Sequence, residues 1–233
     1  MIAVLDYGIG NLRSAQRALR QVGADAVLAT TPEEAEGADG FVLPGVGAFG
    51  ASRTALARTG LDRVAVAAIE AGLPLLGVCV GLQLLYEGSE EDPGVEGLGV
   101  LSGRSIALSP TEKRPQMQWN LVTPLPTASY SRLIASLPPA PWVYFVHSYA
   151  PELTDDAVAS CDYGGPVVAA VERGALWGTQ FHPEKSGTVG LALLAAFVRA
   201  CSEPVVRADC ADPVTADPGA RATRAEPAGL MRS

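Results

Sequence analysis

The chain has 233 residues, 48% of them hydrophobic and 18% charged, so it is too apolar for an unfolded polyelectrolyte and long enough to bury the core of one ordinary domain. Its 17 basic side chains are outnumbered by 25 acidic ones, giving a formal net charge of -8, and no general basic surface is available to neutralise a phosphate backbone; this argues against nucleic acid as a partner. The opening Met1-Ile2-Ala3-Val4-Leu5-Asp6 reaches an acid too soon for a secretory leader, and no apolar run approaches about 18 residues, so the expected setting is the cytoplasm, away from membranes.

Through residue 87, short aliphatic runs alternate with amphipathic stretches, the pattern of parallel strands joined by crossover helices and hence of an α/β fold. Ile2 to Leu5 reads as a buried strand. Asn11 to Val22 carries Leu12, Ala15, Leu19 and Val22 on one helical stripe, with Asn11 as N-cap. Ala26 to Ala29 and Phe41 to Leu43 are the next strands; a Gly-rich loop follows Pro44, and one helix is predicted from Ser52 to Ala71, stopped by Gly72. Pro74 to Val78 forms a fourth strand running straight into Cys79 and a helix that ends near Tyr86. After Gly97 the texture shifts to short extended pieces: Ser105 to Leu108, Leu121 to Thr123, Val143 to His147, Val158 to Cys161, Val167 to Glu172 and Leu176 to Gln180. Without helices between them they suggest an antiparallel extension of the sheet. A last helix spans Leu191 to Cys201. From Glu203 to Ser233 the sequence is rich in Ala, Pro, Asp and Arg with few large apolar residues, so one domain over 1–202 and an unpacked tail over 203–233 are expected.

Cys79, Cys161, Cys201 and Cys210 include no C-x-x-C pair, and His147 and His182 stand at no metal-ligand spacing, so neither a disulfide framework nor a metal site is expected. Most free cysteines are small buried hydrophobes. Cys79 differs by its setting, Gly77-Val78-Cys79-Val80-Gly81, between a predicted strand and a predicted helix. The flanking glycines permit a tight turn that presents the thiol at the carboxyl edge of the sheet, and the amides of a helix N-terminus favour the thiolate. Such a nucleophile needs a base that also protonates the leaving group. His182, in Gln180-Phe181-His182-Pro183-Glu184, fits that role, because on extended backbone the imidazole and the Glu184 carboxylate lie on one side. The plainer reading of His182 is a strand-end histidine beside a solvated glutamate; His147, in Tyr144-Phe145-Val146-His147, reads as a partly buried strand residue. Pro44-Gly45-Val46-Gly47 can turn the Gly45 and Val46 amides toward the same edge, and the Val80 amide is a further oxyanion donor. Gly8-Ile9-Gly10 is only a weak phosphate-loop signal, lacking a third glycine. Met117 and Trp119 fall in a polar loop, Glu112 to Asn120, where the Trp is either a core anchor or an interface hot spot.

Six runs, in order, resemble the class I glutamine amidotransferases, and within them the glutaminase branch that serves imidazole glycerol phosphate synthesis in histidine biosynthesis. They are Asp6 to Ser14, Pro44 to Phe49, Gly77 to Gln83, Pro115 to Asn120, Tyr144 to Tyr149 and Gln180 to Gly187. The resemblance leaves only the tail after about Cys201 uncovered. It implies a flavodoxin-like, mostly parallel sheet flanked by helices, and a Cys79, His182, Glu184 triad that hydrolyses glutamine to glutamate and ammonia without a cofactor. It further implies that Gly47 and Gln83 hold the glutamine, that Glu91 reaches its amino group, and that His147, Ser148 and Tyr149 line its α-amino and α-carboxylate side. The implied partner is a separate (β/α)8 cyclase subunit, joined as a heterodimer, which receives the ammonia; Asn11, Trp119, Asn120 and Lys185 match positions facing it. Low activity without that partner is expected. Three residues depart from the family pattern: Val80 replaces a leucine, Ala150 a tyrosine, and Gln118 a glycine, where a positive φ would strain the loop. The alternative readings are a glutaminase serving another acceptor enzyme, such as pyridoxal phosphate synthase, and a non-catalytic scaffold of the same fold.

Overall fold

The computed structural model describes residues 1–203. The tail expected over 203–233 lies, Glu203 apart, outside the described residues, as does Cys210.

The elements, in chain order, are β1 (Ile2–Leu5), α1 (Leu12–Gln21), β2 (Ala26–Ala29), β3 (Gly40–Gly45), α2 (Phe49–Thr59), α3 (Leu61–Glu70), β4 (Leu75–Cys79) and α4 (Val80–Gln83). There follow β5 (Gly88–Ser89), β6 (Arg104–Ala107), β7 (Gln116–Leu121), β8 (Thr123–Pro124), α5 (Arg132–Ala135), β9 (Trp142–His147) and β10 (Tyr149–Pro151). The last are β11 (Ala157–Asp162), β12 (Pro166–Arg173), β13 (Leu176–Thr179) and α6 (Gly187–Cys201). The main sheet runs β2-β1-β3-β4-β13-β12-β11-β8. Its first five strands are parallel, in the order typical of flavodoxin-like folds, whose ligand crevice lies outside the carboxyl ends of the strands. β12, β11 and β8 extend it antiparallel, as the run of strands without helices suggests. Two smaller sheets, β10-β6-β5 and the ribbon β7-β9, stand beside it.

Burial explains the parallel strands. β1, β3 and β4 are buried along their whole length, which their aliphatic runs make favourable because helices cover both faces. α1 packs on α6, and α3 on β3 and β4. Phe197 of α6 meets Trp177 of β13 with ring centroids 5.8 Å apart, and both are almost wholly buried. Side chains of this size each contribute about 1.5–3 kcal/mol when removed from water, so the last helix is fastened to the strand that precedes His182. No helix among the described residues is long and apolar enough to cross a membrane.

Four local expectations are corrected. The single helix predicted from Ser52 to Ala71 is two, α2 and α3, because Gly60 adopts φ 74° and breaks the hydrogen-bond ladder; α2 also starts earlier, at Phe49. The helix after Cys79 stops at Gln83 rather than near Tyr86. The stretch Glu112 to Asn120, read as a polar loop, enters a regular strand at Gln116. Within that strand Gln118 pairs with Phe145, and it is not among the residues of positive φ, so the glycine replacement carries no strain.

Candidate active site

Cys79 ends β4 and caps α4 with φ 54° and ψ -114°. It is one of two non-glycine residues of positive φ among those described, a conformation that costs free energy and turns the chain sharply from strand to helix. Gly81 makes the turn possible, since a methyl group there would overlap the carbonyl of Leu43 on β3. α4 has only four residues, so the helix-dipole activation expected of Cys79 has little helix behind it. The sulfur's surroundings are specific instead. Gln180 Nε2 donates to Sγ at 3.6 Å, and Sγ lies 3.9 Å from the Val146 carbonyl oxygen. A thiol can donate to Val146; a thiolate keeps the Gln180 contact.

His182 reaches the same place because β13 pairs in parallel with β4, placing Thr179 beside Val78 at the carboxyl ends of both strands. Its Nδ1 is 2.9 Å from Glu184 Oε1, and the two side chains are 2% and 5% exposed. The solvated glutamate of the plainer reading is therefore excluded. Since a carboxylate only accepts, Nδ1 carries the proton and Nε2 is the nitrogen left for chemistry. Nε2 is buried and has no hydrogen-bond partner among the described residues, while Cys79 lines the same cavity. Burial by itself lowers the pKa of the ring; the interactions with Cys79 and Glu184 outweigh it and raise the pKa. The backbone is held as tightly: Ser186 Oγ donates to the His182 carbonyl at 2.7 Å and accepts from the Tyr144 amide at 3.0 Å. Asn11 sits at the N-cap position of α1 but does not cap it, and its amide reaches Glu184 Oε1 at 3.5 Å.

Cys79 and His182 line a cavity of about 230 Å³ together with Val46, Gly47, Val80, Gln83, Glu91, Pro115, Val146, His147, Ser148 and Tyr149. Of the oxyanion candidates, Val46 and Val80 are in this wall; Gly45 is buried behind it, in register with Cys79. Every residue to which the family resemblance gives glutamine binding is present in the lining. Gln83 is nonetheless committed internally, its Nε2 donating to the Tyr149 carbonyl at 2.8 Å and to Gln180 Oε1 at 3.0 Å. Glu91 Oε2 accepts from the Phe49 amide at 2.8 Å. His147 is buried rather than partly buried, and burial pushes its pKa down to about 4, against the bond to the Tyr149 carbonyl and helped by the nearby charge of His182. As a neutral ring donating from Nδ1 to that carbonyl at 2.9 Å, it shapes the wall and is no second base.

Beside the cavity the ribbon presents an apolar outer face. Trp119 is 49% exposed, which excludes a core anchor, and it meets Tyr144 edge-on at 6.2 Å. Lys185 Nζ lies over the same Tyr144 ring at 5.9 Å. Met117 and Trp142 extend the patch, 61% and 54% exposed. Asn120, one residue from Trp119, turns to the opposite face and donates to the Asp162 carbonyl at 2.9 Å. Thus Trp119 and Lys185 gather on one surface with Asn11 near Glu184, while Asn120 does not join them. Sequence reasoning missed Gln180, Ser186 and Tyr144. Gln180 and Tyr144 open two of the six runs and Ser186 lies inside the last of them, but nothing in residue type marks its role.

Comparisons with known proteins bear on the family and the fold. The family described as glutamine amidotransferase class-I matches residues 3–201. The imidazole glycerol phosphate synthase subunit HisH of Methanothermobacter thermautotrophicus is 46% identical over 199 residues, covering 85% of this chain and 98% of its own. The protein of that name from Symbiobacterium thermophilum is 47% identical over 196 residues, with 83% and 91% covered, and that from Bacillus subtilis 40% over 215, with 89% and 100% covered. Among solved structures, a glutamine amidotransferase superposes with a TM-score of 0.66 at 20% identity, covering 87% of this chain and 99% of that one. PurLQS from Thermotoga maritima gives 0.65 at 18%, with 86% and 96% covered. These structures speak to the fold alone. With a family pattern spanning almost all the described residues and relatives of this identity, the chain belongs to the class I glutamine amidotransferases.

Proposed function

We propose that this chain is the glutaminase subunit of an imidazole glycerol phosphate synthase, releasing ammonia from glutamine and passing it to a (β/α)8 cyclase subunit in the cytoplasm, as a step in histidine biosynthesis. The observation that carries the reading is the buried His182–Glu184 pair, 2.9 Å apart, whose free Nε2 shares one cavity with Cys79. The names of the relatives supply the acceptor. One domain over 1–202 houses the site.

In the proposed reaction the Cys79 thiolate adds to the side-chain carbonyl carbon of glutamine. The oxygen becomes an oxyanion facing the amides of Val46 and Val80, with Gly45 behind them. The His182 imidazolium gives its proton to the amide nitrogen, the carbon–nitrogen bond breaks, and ammonia leaves a glutamyl thioester. His182, now neutral, takes a proton from water as its oxygen attacks. That transfer restores the imidazolium; collapse then expels the Cys79 thiolate, and the new γ-carboxylic acid gives its proton to solvent to leave as glutamate. Glu184 keeps the ring in the working tautomer and stabilises its charge. Gly47, Gln83, Glu91 and the His147-Ser148-Tyr149 turn shape the glutamine pocket. Trp119 and Lys185 with Asn11 meet the cyclase, and Asn120 braces the ribbon behind them.

Ammonia release from glutamine, measured with and without the cyclase and its nucleotide ligand, tests this. The complex should be far more active than the chain alone. Cys79→Ala should abolish glutamine-dependent synthesis and spare synthesis from added ammonium salts; persistence of the glutamine-dependent reaction would remove Cys79 from the mechanism. A stronger response to a pyridoxal phosphate synthase barrel would reassign the acceptor.

A further inference from the structure

Gln180 takes part in no step of the reaction above, yet it is wholly buried with its side chain against the sulfur. It carries the chain from β13 toward His182, and its backbone amide donates to the Ala169 carbonyl at 2.9 Å. Gln180 is absent from the cavity lining, so it meets Cys79 without facing the substrate.

A side-chain amide can present either its NH2 or its oxygen, and only the NH2 helps a thiolate. Which end meets Cys79 is fixed by further hydrogen bonds. The Tyr149 carbonyl can only accept; it takes His147 Nδ1–H at 2.9 Å and Gln83 Nε2–H at 2.8 Å, which fills both of its lone pairs. Gln83 must therefore turn its NH2 toward Tyr149. Gln83 Nε2 also donates to Gln180 Oε1 at 3.0 Å. Reversing the Gln180 amide would set NH2 against NH2, with neither able to accept. Gln180 is thus held with its oxygen on Gln83 and its Nε2–H on Sγ, 3.6 Å away.

This contact distinguishes the two forms of the sulfur. The Val146 carbonyl, 3.9 Å from Sγ, favours only S–H, because a thiolate has nothing to donate. The Gln180 N–H favours the anion, since a hydrogen bond to a charged acceptor is about twice as strong as one to a neutral acceptor. With only four residues in α4 behind Cys79, a local donor matters more than the helix dipole.

We propose that Gln180 is a catalytic residue, aimed by Gln83, whose side-chain amide donates to Cys79 Sγ and stabilises the thiolate before it attacks and again when the thioester releases it. At that release the carbon–sulfur bond breaks and its electron pair returns to sulfur; Gln180 keeps its own protons throughout. The inference rests on the glutaminase reading given above and adds a group to its reaction.

The test is Gln180→Met, similar in length but without the N–H. In the full chain, the ultraviolet absorbance of the thiolate, taken as the part that Cys79→Ala removes, should appear about one pH unit higher than in wild type, a tenfold change in the equilibrium. His182 with Glu184, Glu91, His147 and Tyr149 around the cavity, and Tyr7 beside Gly45, are all kept in this variant. In the complex with the cyclase and its nucleotide ligand, kcat for glutamine hydrolysis should fall about tenfold or more, while KM stays within about twofold. A mere brace of the fold would lower the unfolding midpoint and leave the thiolate profile in place. An unmoved profile overturns the proposal, as does wild-type kcat. If Gln180→Met does not fold, Gln180→Asn, whose amide is drawn back by one methylene, carries the same expectations, and a wild-type profile or kcat there overturns the proposal. A wild-type complex without Cys79-dependent hydrolysis would refute the functional reading itself; an active wild type beside unaffected variants refutes the role of Gln180 alone.

Discussion

Replacing Glu184 by Gln keeps the length of the side chain and an acceptor oxygen but removes the charge beside His182 Nδ1. The pair is 2.9 Å apart with 2% and 5% of the side chains exposed, so solvent screens it little. A hydrogen bond to a charged group contributes about 1.5–3 kcal/mol. At about 1.4 kcal/mol per pKa unit, its loss lowers the pKa of the ring by about one to two units, from a starting value of about 10. In the proposed reaction the imidazolium is the acid that protonates departing ammonia, so kcat/KM should drop as pH rises past the pKa of the ring. In Glu184→Gln that basic limb should lie about one to two units lower. Stability follows the same sign. Because folding raises the pKa of His182 above its ordinary 6.5, the stabilisation is present in full below that pH and lost as pH rises through about 10. Urea midpoints of wild type and variant should thus differ most under mildly acidic conditions and draw together at alkaline pH. The assays are the pH–rate profile of glutamine hydrolysis by the complex and urea unfolding across pH. A basic limb left in place by the substitution would refute the account of Glu184.

Two further substitutions probe other parts of the site. Gly81→Ala drives a methyl into the Leu43 carbonyl and should destabilise the protein by about 3 kcal/mol or more, read as a lowered denaturation midpoint; a stable Ala variant would mean that the turn at Cys79 is looser than described. Trp119→Ala should weaken association with the cyclase by about 2 kcal/mol without changing the unfolding midpoint, since the ring is half exposed. Titration calorimetry giving the wild-type affinity would take Trp119 out of the interface.

The geometry of the candidate site is largely legible because it is written in short runs. A glycine on either side of Cys79 announces a turn, and Glu184 two residues after His182 announces a shared face; both hold in space. The parallel strands were equally plain, since strands covered on both faces read as unbroken aliphatic runs. What failed depended on partners distant in sequence. Gln116, Gln118 and Asn120 make β7 look like a loop, yet Gln116 is buried against Cys161 and each pairs with a residue of β9. Gly60 was hidden inside a continuous helical pattern, where one left-handed residue outweighs the periodicity around it. Ser186 braces His182 through a backbone carbonyl, and no residue pattern signals such a bond.

β13 supplies the neighbour of β4 even though nearly a hundred residues of chain intervene. A ribosome-bound chain long enough to contain Cys79 still lacks His182, and the sheet position on the far side of β4 from β3 stays unfilled until the final strand emerges. Incomplete or prematurely terminated products should therefore be inert toward glutamine, so the order of synthesis itself guards the amino-acid pool against a half-built hydrolase.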